Sequence, residues 1–398
     1  MAGRREVEVE IEGRRLKLSN LDKIFYPATG FTKGEVIDYY TRIAPALLPH
    51  LADRPLTLKR YPDGVTGSFF YEKRCPAHRP QWVRTEPVWS EGNQDVIRFC
   101  VVDDLPTLVW AANLADLEMH TYLHRFPRVE EPTLLVFDLD PGPPADALQC
   151  CEVALLLRAL LERLDLASYA KTSGSKGVQV YVPLNVATTY DVTKSFARAV
   201  AERLAAERPD LVVSSMKKSL RVGKVLVDWS QNDEHKTTVC VWSLRARERP
   251  TVSTPLRWSE VEAALRGRDA TRLAIDAAAA VSRFERDGDL FARVLTDEQR
   301  LPAIEEVTRG QQRRGATRVH PGGAAPPPRP RAQGRKPKSN AERGSAHAER
   351  QRGARRTKRE ESQGAGRTGS GRTGRRGAST PRLGDAPGAA ADGYFSSE

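Results

Sequence analysis

The 398-residue chain holds 63 Lys and Arg against 51 Asp and Glu, a formal charge of +12, and its length allows one large domain or two smaller ones. The basic excess is confined to one end: from Arg309 onward 21 basic residues face 7 acidic ones, so the rest is close to neutral and any basic groove there is local. The apolar stretch Val153–Leu161 is broken by Arg158, and charged residues follow close on Met1, so no membrane-spanning or secretory segment is expected and the protein reads as cytoplasmic.

Val7 to about Val307 has the patterning of a globular α/β (α+β) domain, assigned to residues 1–307. Thr32-Lys-Gly-Glu35 is a capping box, and Val36, Ile37, Tyr40, Ile43, Ala44 and Leu47 follow at helical spacing. Leu56–Tyr61, a Pro-Asp-Gly turn and Ser68–Lys73 form an expected hairpin. A helix is expected over Leu105–Met119, then a strand Thr133–Asp140 leading into a helix Ala147–Leu164. Val178–Leu184 reads as a strand, Val192–Ala206 as a helix and Val225–Ser230 as a strand, with two helices between Ser259 and Arg283. Residues 308–398 are rich in Gly, Pro, Ala, Ser and Arg, and too few aliphatics remain to offset chain entropy, so a disordered basic tail is expected. Such a tail suits either tethering to DNA by counterion release or a solubilising linker. The five cysteines show no CxxC spacing and are expected to be reduced; Cys75-Pro-Ala-His78 lacks the second ligand pair of a zinc site.

Chemistry concentrates first in Val136-Phe-Asp138-Leu-Asp140-Pro-Gly142. Side chains alternate along a strand, so Asp138 and Asp140 share a face while Phe137 and Leu139 point the other way. Adjacent carboxylates repel unless a cation lies between them, and oxygen-only ligation suits Mg²⁺ or Mn²⁺. The same alternation puts Leu226, Asp228 and Ser230 on one face, and a third carboxylate near the pair completes a set able to hold two metal ions. Alone, the paired aspartates equally describe solvated acids at a strand end.

Lys171-Thr-Ser173-Gly174-Ser175-Lys176-Gly177 lacks the P-loop spacing and precedes a strand, yet a Gly-rich turn carrying Ser173 and Lys176 suits a phosphate nest as well as an ordinary turn. Arg245 and Arg247 suit a bidentate grip on a triphosphate or an ordinary solvated surface, and Gln231 follows the Asp228 strand. His120 and His124 follow the Leu105–Met119 segment. The hairpin interleaves Lys59, Arg60, Tyr61 with Phe69, Phe70, Tyr71, a combination suited to base stacking, with at least one ring expected to serve packing only. Asn20, Lys23 and Lys33 bracket the turn Tyr26-Pro-Ala-Thr-Gly30 and suit an anion or a solvated surface.

In this order, the strings Leu18-Ser-Asn-Leu-Asp-Lys-Ile-Phe-Tyr-Pro-Ala-Thr-Gly30, Leu58-Lys-Arg-Tyr-Pro-Asp-Gly64, Phe70-Tyr-Glu-Lys73, Leu134-Leu-Val-Phe-Asp-Leu-Asp-Pro-Gly142, Thr172-Ser-Gly-Ser-Lys-Gly177, Lys224-Val-Leu-Val-Asp-Trp-Ser-Gln-Asn232 and Trp242-Ser-Leu-Arg-Ala-Arg247 together resemble the polymerase domain of bacterial DNA ligase D, of the archaeo-eukaryotic primase superfamily. The resemblance runs from about Val7 to Leu295 and implies a primase-polymerase fold with a mixed central sheet flanked by helices. It implies a template-dependent polymerase that fills short gaps in non-homologous end joining, favouring ribonucleotides over deoxynucleotides and using Mn²⁺ or Mg²⁺. Carried over by position, Asp138, Asp140 and Asp228 are metal ligands, and Ser173, Lys176, Arg245, Gln231 and His120 lie around the nucleotide. Asn20, Lys23 and Lys33 recognise the 5′-phosphate across the gap, and Lys59, Phe70 and Tyr71 contact template and base pair. Tyr71 stands where the family usually has a second Phe, a mild departure for stacking. The implied partners are DNA ends or a gapped duplex, a Ku-type end-binding protein and a separate DNA ligase, in the nucleoid. No Asp-Gly pair follows a lysine as Lys-x-Asp-Gly, so nick sealing is not expected. Two other readings compete: a non-catalytic end-bridging protein, and a nuclease or phosphatase on the same carboxylates.

Overall fold

The computed structural model describes residues 6–315 apart from 91 and 93. Two six-stranded sheets organise them. The first, the aspartate sheet, runs Val212–Val213, Val225–Asp228, Leu134–Pro141, Val178–Pro183, Tyr169–Thr172, Pro255–Leu256. It is mixed, because Val212–Val213 pairs in parallel with Val225–Asp228 while the other neighbours are antiparallel. The second, the aromatic sheet, runs Thr238–Val239, Asp116–Thr121, Leu56–Arg60, Asp95–Cys100, Thr85–Ser90, with Phe70–Glu72 also paired to Leu56–Arg60.

The aspartate sheet separates two cores, and the alternation along Leu134–Pro141 shows how. Leu135, Phe137 and Leu139 enter one core with helices Ala147–Glu162, Tyr190–Glu207 and Trp258–Gly267, while Leu134 and Val136 face the other. Asp138 and Asp140 therefore share the face that looks toward the aromatic sheet. That second core also takes the apolar stripes of helices Lys33–Leu51 and Leu105–Asn113. The first helix starts where its sequence says: Thr32 caps it, its hydroxyl accepting from the Glu35 N–H while Glu35 reaches back to the Thr32 N–H at 2.7 Å.

Four expectations need correction. The segment Leu105–Met119 is not one helix: it ends at Asn113, Ala115 takes a left-handed φ of 66°, and Asp116–Thr121 is a strand. The period-two run Asp116-Leu-Glu-Met-His120 outweighs the helical start, with Leu117 and Met119 packed in the core. Cys75 and Cys100 are joined by a disulfide, so the expectation of reduced thiols fails there, and Cys75 is no zinc ligand. The other three cysteines are free and buried. The boundary at 307 falls inside the helix Ile304–Gly315, and Val307 is fully buried in the core that holds Leu135, Phe137 and Leu139. None of the three hairpin rings is a core residue: Phe69 is 50% and Phe70 43% exposed, and Tyr71 is half-buried. The expected tail lies outside the described residues beyond 315, and among the described residues no helix is long and apolar enough to cross a membrane.

Candidate active site

Strand register brings the three aspartates together. Asp138 lies directly opposite Asp228 in an antiparallel pair, and Asp140 follows two residues on, on the same face. Asp228 is buried at 4% exposure, Asp138 half-buried and Asp140 exposed, so the set opens to solvent at one end. Burial first, then the charges of Asp140 and Asp228, raise the Asp138 carboxyl well above its ordinary range; Gln179 and Lys171 oppose this. Oxygen donors crowded in this way suit a hard divalent cation. Among the described residues no three Asp, Glu, His or Cys side chains are already gathered closely enough to hold one. Asp228 Oδ1 accepts from the Ser230 hydroxyl at 2.6 Å and N–H at 2.9 Å, and its Oδ2 from the Gln231 amide at 3.2 Å. Donor set and register fit a metal, and the Asp228 oxygens keep lone pairs beyond those bonds.

Beside the aspartates the loop 173–177 closes on itself. The Ser173 hydroxyl accepts from the N–H groups of Ser175 at 3.2 Å and Gly177 at 3.1 Å, so two donors of the expected phosphate nest are turned inward. Lys176 is exposed at the loop tip. The turn is possible only with glycine: at Gly174, φ 68°, a Cβ would sit 2.6 Å from Arg245 Cγ and 2.8 Å from the Ser253 nitrogen. At Gly177 it would sit 2.2 Å from the Leu139 carbonyl.

Arg245 is buried and donates to the Ser173 carbonyl. Its other neighbour is Glu118, which organises the aromatic sheet's side of the cleft. Glu118 Oε2 lies 3.1 Å from Lys59 Nζ, 3.1 Å from His120 Nε2 and 3.4 Å from Arg245 Nε, while Oε1 accepts from the Ala246 N–H at 2.9 Å. Burial pushes the Glu118 carboxyl up, but Arg245, His120 and Lys59 outweigh it and hold the group well below its ordinary range. Burial lowers His120, so its imidazole is neutral near pH 7, and its ring meets Tyr71 edge-on. Gln231 is half-buried against Asp228.

The residues expected to meet DNA divide. Phe70 stands over the Arg60 guanidinium, and Tyr71 lies across from Lys59 in the strand pairing. Lys59 is not on the surface: at 4% exposure its ammonium sits 4.8 Å from the Phe69 ring centre and 5.5 Å from that of Tyr71. Asn20, Lys23 and Lys33 do converge, since Lys23 N–H donates to the Asn20 carbonyl and Lys33 N–H to the Lys23 carbonyl. Asn20 and Lys23 are exposed, with Lys23 paired to Asp63 at 2.7 Å. Lys33 is buried, its ammonium donating to the Ser19 carbonyl and to Asn113 Oδ1 at 2.7 Å each. His124 stays apart, buried against Tyr190 at 2.8 Å.

The sequence reading gives no role to the buried polar residues Glu118, Lys171 and Gln179 beside the site. Glu118 is visible in hindsight in the alternation Asp116-Leu-Glu-Met-His120, and Gln179 as the polar member of Val178-Gln-Val-Tyr-Val182. Burial moves the Lys171 ammonium down to about 7.

The model of the LigD primase-polymerase domain matches residues 32–291. The multifunctional non-homologous end joining protein LigD of Mycolicibacterium smegmatis is 39% identical over 307 residues, 77% of this chain and 39% of that protein. The Bacillus subtilis bifunctional LigD is 34% identical, over 63% of this chain and 40% of its own length. The chain thus spans about two-fifths of these relatives. Among solved structures, the polymerase domain of Mycobacterium tuberculosis ligase D in complex with DNA is 40% identical with a TM-score of 0.67, covering 72% of this chain and 99% of that one. With the aspartate strands, the Ser173 loop and Arg245 all inside the matched segment, the chain belongs to the LigD primase-polymerase domain family.

Proposed function

We propose that this protein is a template-dependent nucleotidyltransferase that fills short gaps at DNA double-strand breaks during non-homologous end joining. The observation that carries the reading is the cross-strand set Asp138, Asp140 and Asp228 beside the Ser173–Gly177 loop and Arg245, in a fold whose solved relative is a polymerase domain in complex with DNA. Asp138, Asp140 and Asp228 would hold two Mn²⁺ or Mg²⁺ ions, whose chemistry is to activate a primer 3′-hydroxyl and offset charge on the leaving pyrophosphate. Arg245 and Lys176 carry the positive charge for the triphosphate; Glu118 fixes the Arg245 guanidinium, and the Ser173 carbonyl accepts from it. Neutral His120 serves as a hydrogen-bonding wall beside the nucleotide rather than as a cation. The exposed faces of Phe69 and Phe70 offer stacking for the template-primer pair, while buried Lys59 stiffens that hairpin from beneath through Glu118 and the rings. Asn20 and Lys23 are the exposed members of the site for a 5′-phosphate across the gap, and Lys33 anchors them through its backbone.

The reading extends to a preference for ribonucleotides, to a Ku-type end-binding protein and a separate ligase as partners, and to action on the nucleoid. It is tested by primer extension on a gapped duplex bearing a 5′-phosphate, with rNTPs and dNTPs in parallel and Mn²⁺ or Mg²⁺ present. The expected result is addition of one or a few templated nucleotides, faster with rNTPs, and none with Asp138→Ala. Equal extension by wild type and Asp138→Ala would refute the metal assignment. Shortening of labelled DNA without nucleotide would favour a nuclease.

A further inference from the structure

Four polar side chains form one row across four strands of the aspartate sheet. Pairing sets Asp228 opposite Asp138, Asp138 opposite Gln179, and Gln179 opposite Lys171. Directly opposed residues share a face, so the row runs unbroken from the solvent-open aspartates into the buried seam between the two sheets. Its inner end is fully specified. Lys171 Nζ donates to Gln179 Oε1 at 2.5 Å, to Ser253 Oγ at 2.6 Å and to the Val239 carbonyl at 3.1 Å. Those three acceptors use all the hydrogens of an ammonium.

That arrangement settles the orientation of Gln179. In its ammonium form Lys171 only donates, so the amide atom facing it is the oxygen, as the contact to Oε1 has it, and the NH₂ group is left for the other side. There it donates to Thr238 Oγ1 at 3.3 Å and lies against the Asp138 carboxylate, whose ionised form it favours. A lysine paired directly with Asp138 would neutralise the carboxylate and compete with any cation. With an amide interposed, the lysine's field reaches Asp138 while the carboxylate stays available.

We propose that Lys171 and Gln179 are positioning residues for Asp138: Lys171 fixes the Gln179 amide, and Gln179 fixes the carboxylate that holds a divalent cation. The inference rests on the metal reading of the three aspartates. Partners of metal ligands at this remove commonly govern affinity by 10- to 100-fold when lost.

The test is Mn²⁺ binding to the full chain without DNA or nucleotide, read from the electron paramagnetic resonance of free Mn²⁺, with thermal melting in chelator to establish folding. Gln179→Leu and Lys171→Met are each expected to weaken Mn²⁺ binding about tenfold. Because they break the same chain, the double variant should be no weaker than the worse single one. Asp138→Asn is the control and should lose most binding. Wild-type affinity in folded Gln179→Leu, with binding lost in Asp138→Asn, overturns the relay and leaves the metal site standing. Wild-type affinity in Asp138→Asn overturns the metal site and the relay with it. Effects of the two relay variants that multiply in the double variant also overturn it, since independent residues would behave so. If Lys171→Met melts below the assay temperature, Gln179→Leu carries the test from the middle of the chain.

Discussion

If Asp138 holds the cation proposed above, Asp138→Asn should stabilise the protein without metal and destabilise it, relative to wild type, with metal. In the metal-free protein Asp138 is half-buried, opposed directly by Asp228 and flanked by Asp140. Like charges directly opposed on an antiparallel pair cost up to about 1 kcal/mol, and the two neighbours together about 1–2 kcal/mol. Asn keeps the shape and an oxygen to accept from Gln179, but removes that repulsion and the cost of a buried charge. Asp138→Asn should therefore melt higher than wild type in chelator, by roughly 2–4 °C per kcal/mol for a domain of this size. Added Mn²⁺ reverses the order. A cation at 100 times its dissociation constant stabilises the form that binds it by about 2.7 kcal/mol, and the variant has lost the central ligand. The assay is differential scanning calorimetry of both proteins in chelator and across a Mn²⁺ series at fixed salt. Crossing curves support the reasoning. A variant that melts below wild type in chelator, or gains as much from Mn²⁺, refutes it.

Glu118→Gln leaves Lys59 and Arg245 buried without their carboxylate and should cost about 3–5 kcal/mol in a urea titration; a loss under 1 kcal/mol would mean the two cations do not depend on it. Gly174→Ala forces a Cβ against Arg245 and Ser253 at φ 68°, so the nucleotide KM should rise at least several-fold while the fold loses about 1–3 kcal/mol; an unchanged KM would detach the loop from nucleotide binding. Acid should weaken the fold through His124, which burial lowers from 6.5 to about 3. Its folded pKa lies below the unfolded one, so its stabilising contribution is whole above pH 6.5 and is lost as pH falls toward 3, about 2 kcal/mol of it by pH 5. His124→Gln should flatten the stability profile between pH 7 and 4; an unchanged slope would place the acid sensitivity elsewhere.

Period-two patterning located the strand Leu134–Pro141 and assigned its faces correctly, because each face meets a different core and a one-residue slip would bury both aspartates among apolar helices. The same alternation runs through Asp116–Thr121, the strand that carries Glu118 and His120. The helical start Leu105–Asn113 masks it, and only the left-handed Ala115 marks the change. Cys75 and Cys100 show why spacing is a poor guide to disulfides: a strand pairing places Cys100 opposite Leu56, and the turn after Phe70–Glu72 delivers Cys75 to it.

What the chain order could not convey is how charge is shared between sheets. Lys59 and Lys33 read as surface cations, because a lysine in a linear string is most often solvated. In the fold each is nearly closed off, one by Glu118 and three rings, the other by Ser19 and Asn113. Their compensating groups lie 59 and 80 residues away, beyond any local pattern. The consequence reaches the proposed chemistry. With these two lysines spent on internal structure, the proposed contacts to nucleic acid fall more heavily on exposed Asn20, Lys23, Phe69 and Phe70, and exposed Lys176 joins Arg245 at the triphosphate. The buried cations Lys59 and Lys171 instead hold a carboxylate and an amide beneath the site, and Arg245 braces the Ser173 loop while keeping its proposed place at the triphosphate.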